Sequence, residues 1–195
     1  MKSLLIFLLI CFTLFMFSSC KKNNPVSPLE TQQQIWPLKI GNTWGYHVVI
    51  FDSTGTVSNY GNTSLSISSD TVAGNETWYK ISNNSTGIYY TNRSDGFWIM
   101  SNGLQTIIYK YPGNAGDMWH FFADSVIIES KDTLVTTSLN KYTCYLYRIF
   151  YGGKPIEDDY LSPGVGLVAE DYYSSTISGQ VYLKSSMSLI SIALK

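Results

Sequence analysis

Charge is scarce in this 195-residue chain: 14% of its residues are Asp, Glu, Lys or Arg, with 13 basic against 14 acidic side chains and a formal net charge of -1. No basic run exceeds Lys21-Lys22, so the positive patch needed to hold a phosphate backbone is missing and nucleic acid is excluded as a partner. Cysteine is scarce too. Of three cysteines, Cys11 lies in an apolar N-terminal stretch and Cys20 just behind it, which leaves Cys144 alone in the body of the protein. One thiol forms no intrachain disulfide, so a hydrophobic core must hold the fold, and about 160 residues can supply one. Histidine is limited to His47 and His120. No segment carries convincing helical periodicity.

The N-terminus is a targeting segment rather than part of the fold. Met1-Lys2-Ser3 is followed by the apolar run Leu4 to Phe17, shorter than the roughly 17 to 25 residues of a membrane-spanning helix, and residues 1–19 read as a signal peptide. Phe17-Ser18-Ser19-Cys20 resembles the lipobox of bacterial lipoproteins, which implies acylation of Cys20 and a membrane partner reached through that lipid. The polar, Pro-interrupted stretch up to Gln34 has the composition of a solvated tether, so residues 20–34 form the lipidated arm and residues 35–195 one domain. Lys21, where an Asp would resemble an inner-membrane retention signal, favours the outer membrane.

From Ile35 onward the chain alternates short aromatic and β-branched runs with turn formers. Thr77 to Ser82 and Tyr142 to Phe150 are the clearest strands. Turn signals stand at Asp52-Ser53-Thr54-Gly55, Ala73-Gly74-Asn75, Ser94-Asp95-Gly96, Asn102-Gly103, Pro112-Gly113-Asn114, Gly152-Gly153 and Pro163-Gly164. Such spacing makes consecutive strands spatial neighbours. The expected fold is all-β, an antiparallel meander of about ten strands forming a strongly curved sheet or barrel, with a two-sheet β-sandwich as the alternative.

One motif recurs. Gly41-Asn42-Thr43-Trp44 and Gly116-Asp117-Met118-Trp119 share Gly, Asn or Asp, any residue, Trp, a turn that delivers a Trp to the first inward position of a strand. Together with Trp36-Pro37-Leu38-Lys39-Ile40 before the first copy, and Ser162-Pro163-Gly164-Val165-Gly166-Leu167-Val168 near the end, these motifs resemble a family of uncharacterised bacterial lipoproteins with "PLKxGNxW", "GDxW" and "PGVGLV" signatures. The resemblance implies a β-domain of the outer membrane or periplasm and brings no catalytic residues.

Chemistry-bearing patterns are few. The two histidines lack an HxxxH or CxxC partner, and a zinc site would need Asp117 or Cys144 as well, so no metal or other cofactor is expected. No Gly-x-Ser-x-Gly elbow is present, and Cys144 sits mid-strand as a small hydrophobe. Glu157-Asp158-Asp159 and Glu170-Asp171 could flank a glycosidic bond, although Lys154 to Asp159 reads first as a solvated loop. The expected function is a non-catalytic, lipid-anchored envelope domain that binds a protein or carbohydrate ligand; the alternative is a hydrolase of glycan or lipid using these carboxylates. Four Asp-Ser/Thr tripeptides resemble the O-glycosylation sequence of some exported bacterial proteins. They make Ser53, Thr71 and Thr133 candidate carriers, with Ser125 in an apolar strand the least suitable.

Overall fold

A computed structural model describes residues 33–82 and 87–195. The expected signal peptide, Cys20 and the expected arm up to residue 32 lie outside the described residues. Twelve strands make one sheet: β1 Thr43–Phe51, β2 Val57–Ala73, β3 Glu76–Ile81, β4 Ile88–Arg93, β5 Gly96–Ser101, β6 Leu104–Lys110, β7 Met118–Phe121, β8 Asp124–Thr136, β9 Lys141–Tyr151, β10 Lys154–Ser162, β11 Gly166–Ser175 and β12 Val181–Ala193. No helix occurs among the described residues. The strand count exceeds the expected ten because several connections carry weak sequence signals. Between β7 and β8, for example, the chain turns on Phe122 and Ala123, neither of them a turn former.

The spatial order is β6-β5-β4-β3-β2-β1-β12-β11-β10-β9-β8-β7, antiparallel throughout. The first and last strands therefore pair with each other in the middle, and the sheet curls into a nearly closed barrel whose seam falls between β6 and β7. A barrel is what a long twisted meander tends toward, since curling hides its edges. Side chains bridge the seam where the backbone ladder stops: the Trp119 indole N–H donates to the Ile108 carbonyl (3.2 Å), and the Tyr147 hydroxyl donates to the Lys110 carbonyl (2.8 Å).

The recurring motif builds the same local structure twice. Gly41 donates its amide to Ile67 and Asn42 accepts from it; Gly116 and Asp117 do the same with Ile128. Gly41 and Gly116 have φ of 89° and 90°, a region open to glycine and costly to residues with a Cβ. Trp44 and Trp119 are both buried, as the motif predicts. Trp44 is the second residue of β1 and Trp119 the second of β7, so each copy opens one six-stranded half of the barrel.

The segment preceding β1 belongs to the core. Ile35, Trp36 and Leu38 are buried, with Trp36 stacked on Phe97 at 5.4 Å and edge-on to Trp44 at 5.8 Å. The Pro-Gly-Val-Gly turn between β10 and β11 is the seat of this segment. Gly164 donates its amide to the Gln34 carbonyl (2.7 Å), and a Cβ on Gly166, at φ 93°, would stand 2.5 Å from the Trp36 ring. β1 reaches the same place through Trp44 Nε1–H to the Val165 carbonyl (2.7 Å) and the Tyr46 hydroxyl to the Leu167 carbonyl (3.0 Å). Two of the sequence signatures are thus the two halves of one contact.

Candidate functional site

The acidic run on β10 is a strand, not the solvated loop that its composition suggested. Successive strand residues face opposite sides of the sheet. Glu157 and Asp159 accordingly share a face with buried Leu161, while Asp158 takes the other. Asp158 is saturated there: the Arg148 guanidinium donates to both its oxygens (2.7 and 2.9 Å) and the Tyr173 hydroxyl donates at 3.0 Å. Its structural role needs no ligand.

On the inner face, β11 brings Glu170 opposite Asp159 in the ladder. Oxygens of Glu157, Asp159 and Glu170 lie within 4.8 Å of one another. Asp159 is 1% exposed. Its Oδ2 accepts from the Tyr109 hydroxyl at 2.7 Å, but its Oδ1 is buried with no donor among the described residues; the adjacent Glu157 carboxyl can serve it only when protonated. None of the three forms an ion pair among the described residues.

Burial among like charges raises all three carboxyl groups above their ordinary range. For Glu170 desolvation leads, Glu157 and Asp171 add to it, and the result is about 7. Desolvation also dominates at Asp159, pushed well up, and at Glu157, where Asp124 contributes. The same surroundings push the Tyr109 and Tyr46 phenols upward. Three adjacent carboxylates do not all ionise without a countercharge.

Glu157 and Glu170 also line a cavity of about 420 Å³ in the barrel. Its aromatic wall consists of Trp36, Tyr90, Phe97 and Tyr109, and the aliphatic remainder includes Leu65, Ile81 and Ile108. The rings form a continuous stack, with Phe97 packed on Trp36, Tyr90 and Tyr109, and Tyr109 on Tyr147. A half-open cavity walled by aromatic and aliphatic side chains, with a few polar groups among them, is a usual form of small-molecule site. Glu157, Asp159 and Glu170 stood among the carboxylates noted in the sequence. Tyr109 and Trp36 gave no sign of a shared site, because only barrel curvature brings β6, β10, β11 and the lead-in segment together.

The other sequence candidates are dispersed. His47 donates or accepts with Asn62 on β2 and His120 with Ser125 on β8; neither belongs to a metal-ligating group among the described residues. Cys144 is buried, and desolvation pushes its thiol up to about 12, so it is no nucleophile at neutral pH. Ser53 is exposed in the β1–β2 turn, whereas Thr71 and Thr133 lie on β2 and β8, both half-buried. Asp52 is engaged by the turn itself, its Oδ1 accepting from Thr54 and Thr56.

The chain matches no protein-family model and no curated protein sequence. Among solved structures it is similar to a candidate exported protein with a YmcC-like fold from Bacteroides fragilis, at 13% identity and TM-score 0.42 over 83% of this chain and 100% of that one. A candidate lipoprotein from Parabacteroides distasonis aligns at 13% identity and TM-score 0.44, over 83% and 99%. Similarity of that degree assigns no residue roles.

Proposed function

We propose that this protein is a lipid-anchored module of the bacterial outer membrane, non-catalytic, whose barrel takes a small, largely apolar ligand into its interior. The chamber of about 420 Å³ carries the reading, since its size falls in the range of small-molecule sites and its walls are aromatic and aliphatic. The arm from Cys20 to Gln34 would hold the barrel off the bilayer, with the lead-in residues Ile35 and Trp36 seated in its core.

Glycan hydrolysis fits the same carboxylates less well. Glycosidases hold two carboxyls about 5 to 9.5 Å apart across an accessible bond. They also keep one of the pair ionised, whereas all three carboxyls here are shifted upward together.

Two measurements test the proposal. Cys20→Ser should release the protein from membranes into the soluble fraction, and retention at high salt would refute the anchor. Calorimetric titration of the full-length protein in detergent with 2-phenylethanol, blanked against empty micelles, should show saturable binding of one molecule. Leu65→Trp, which fills the chamber, should weaken that binding; equal binding by this variant would refute the chamber.

A further inference from the structure

We propose that Glu157, Asp159 and Glu170 receive a primary ammonium group, so that the ligand of the barrel is an amine with an apolar body. This rests on the chamber reading above and names the chemistry of its polar wall.

Four observations converge on it. The three carboxyl groups form no ion pair among the described residues, so the cluster avoids charge by holding protons, and a ligand cation would supply the countercharge it lacks. Asp159 is almost fully buried, and its Oδ1 has no donor among the described residues apart from the neighbouring Glu157 carboxyl when that is protonated. Oxygens from all three residues lie within 4.8 Å of one another. An ammonium has three N–H donors in tetrahedral directions, and at charge-assisted N···O distances of about 2.8 Å its acceptors stand roughly 4.6 Å apart. Finally, the wall beside Glu157 and Glu170 offers the rings of Trp36, Tyr90 and Phe97, which suit a hydrocarbon body and attract the cation to their faces.

A bare divalent cation fits less well. Such ions need about six to eight oxygens, or several retained waters. Asp159 Oδ2 is already engaged by Tyr109, and most of the chamber beyond Glu157 and Glu170 is hydrocarbon. The groups acting on the cluster are the phenols of Tyr46 and Tyr109 and the carboxyls of Asp124 and Asp171. The carboxyls add negative charge and the Tyr109 phenol donates one hydrogen bond, to Asp159; none is a competing cation.

The test compares two probes of one shape, phenethylamine and 2-phenylethanol, titrated into the full-length protein in detergent with micelle blanks. Phenethylamine should bind at least about tenfold more tightly, and Glu157→Gln or Glu170→Gln should bring the two probes close to parity. Equal affinity for both in the unaltered protein overturns the ammonium site and leaves the chamber standing. Binding of neither overturns the chamber as well. Calcium chloride alone raising the unfolding midpoint and expelling phenethylamine would make the cluster a metal site, which also overturns the proposal.

Discussion

At Glu170 the raised carboxyl couples stability to pH. The folded protein holds a proton up to about pH 7, where the unfolded chain has released it nearer the ordinary carboxylate range of 4.5. The native state thus binds more protons, its advantage is complete below the ordinary value, and that advantage is lost as pH rises through 7. Glu157 and Asp159 shift in the same direction. The unfolding midpoint should fall between about pH 5 and about pH 8, and Glu170→Gln, neutral throughout, should flatten that slope; melts of both proteins across the range decide it. Gly166 makes a second case. Gly166→Ala places a Cβ against the Trp36 ring at φ 93° and should cost about 2 to 3 kcal/mol in denaturant unfolding. Gly61→Ala, on open β2 with nothing near its Cβ, should be close to neutral.

Strand alternation explains what composition obscured. Glu157-Asp158-Asp159 is an acidic run only in one dimension; on β10 it sends two carboxyls inward and one outward, to unrelated partners. Where Gly, Asn or Pro mark turns, all seven expected turns fall between strands. The β7–β8 turn contains Phe122 at φ 52° and no such residue, so it left no trace in the sequence. The repeated motif is longer than its turn: Trp36-Pro37 and Tyr111-Pro112 precede the two Gly-Asn/Asp pairs at the same spacing, so an aromatic-Pro pair leads into each half of the barrel. Trp119 closes the β6–β7 seam through its indole N–H. Trp119→Phe keeps a ring but drops that donor, and should cost about 1 to 3 kcal/mol. Amide exchange should speed first at β6 and β7; uniform acceleration across the barrel would contradict the seam.

For the whole molecule, the barrel is a self-contained unit from Gln33 to Lys195. A polypeptide beginning near Thr31 should fold by itself and give a far-ultraviolet spectrum dominated by strand. A helical content above about a fifth would contradict the structure, given the roughly one-third helix of an average domain. Its melting should remain cooperative, because the lead-in segment, β1 and the β10–β11 turn share one packed junction around Trp36 and Trp44.

The strand-and-turn pattern and the absence of helix followed from the sequence alone, since alternation and turn chemistry are local properties that each segment carries by itself. So did the inward Trp of each Gly-Asx-x-Trp motif. Curvature and closure are collective, set by twist accumulated over twelve strands. Only that closure decided that β1 pairs with β12, that the opening falls between β6 and β7, and that Tyr109 meets Asp159 across 50 residues of chain. The chamber and its carboxylate wall exist because the sheet curls, and no single strand contains either.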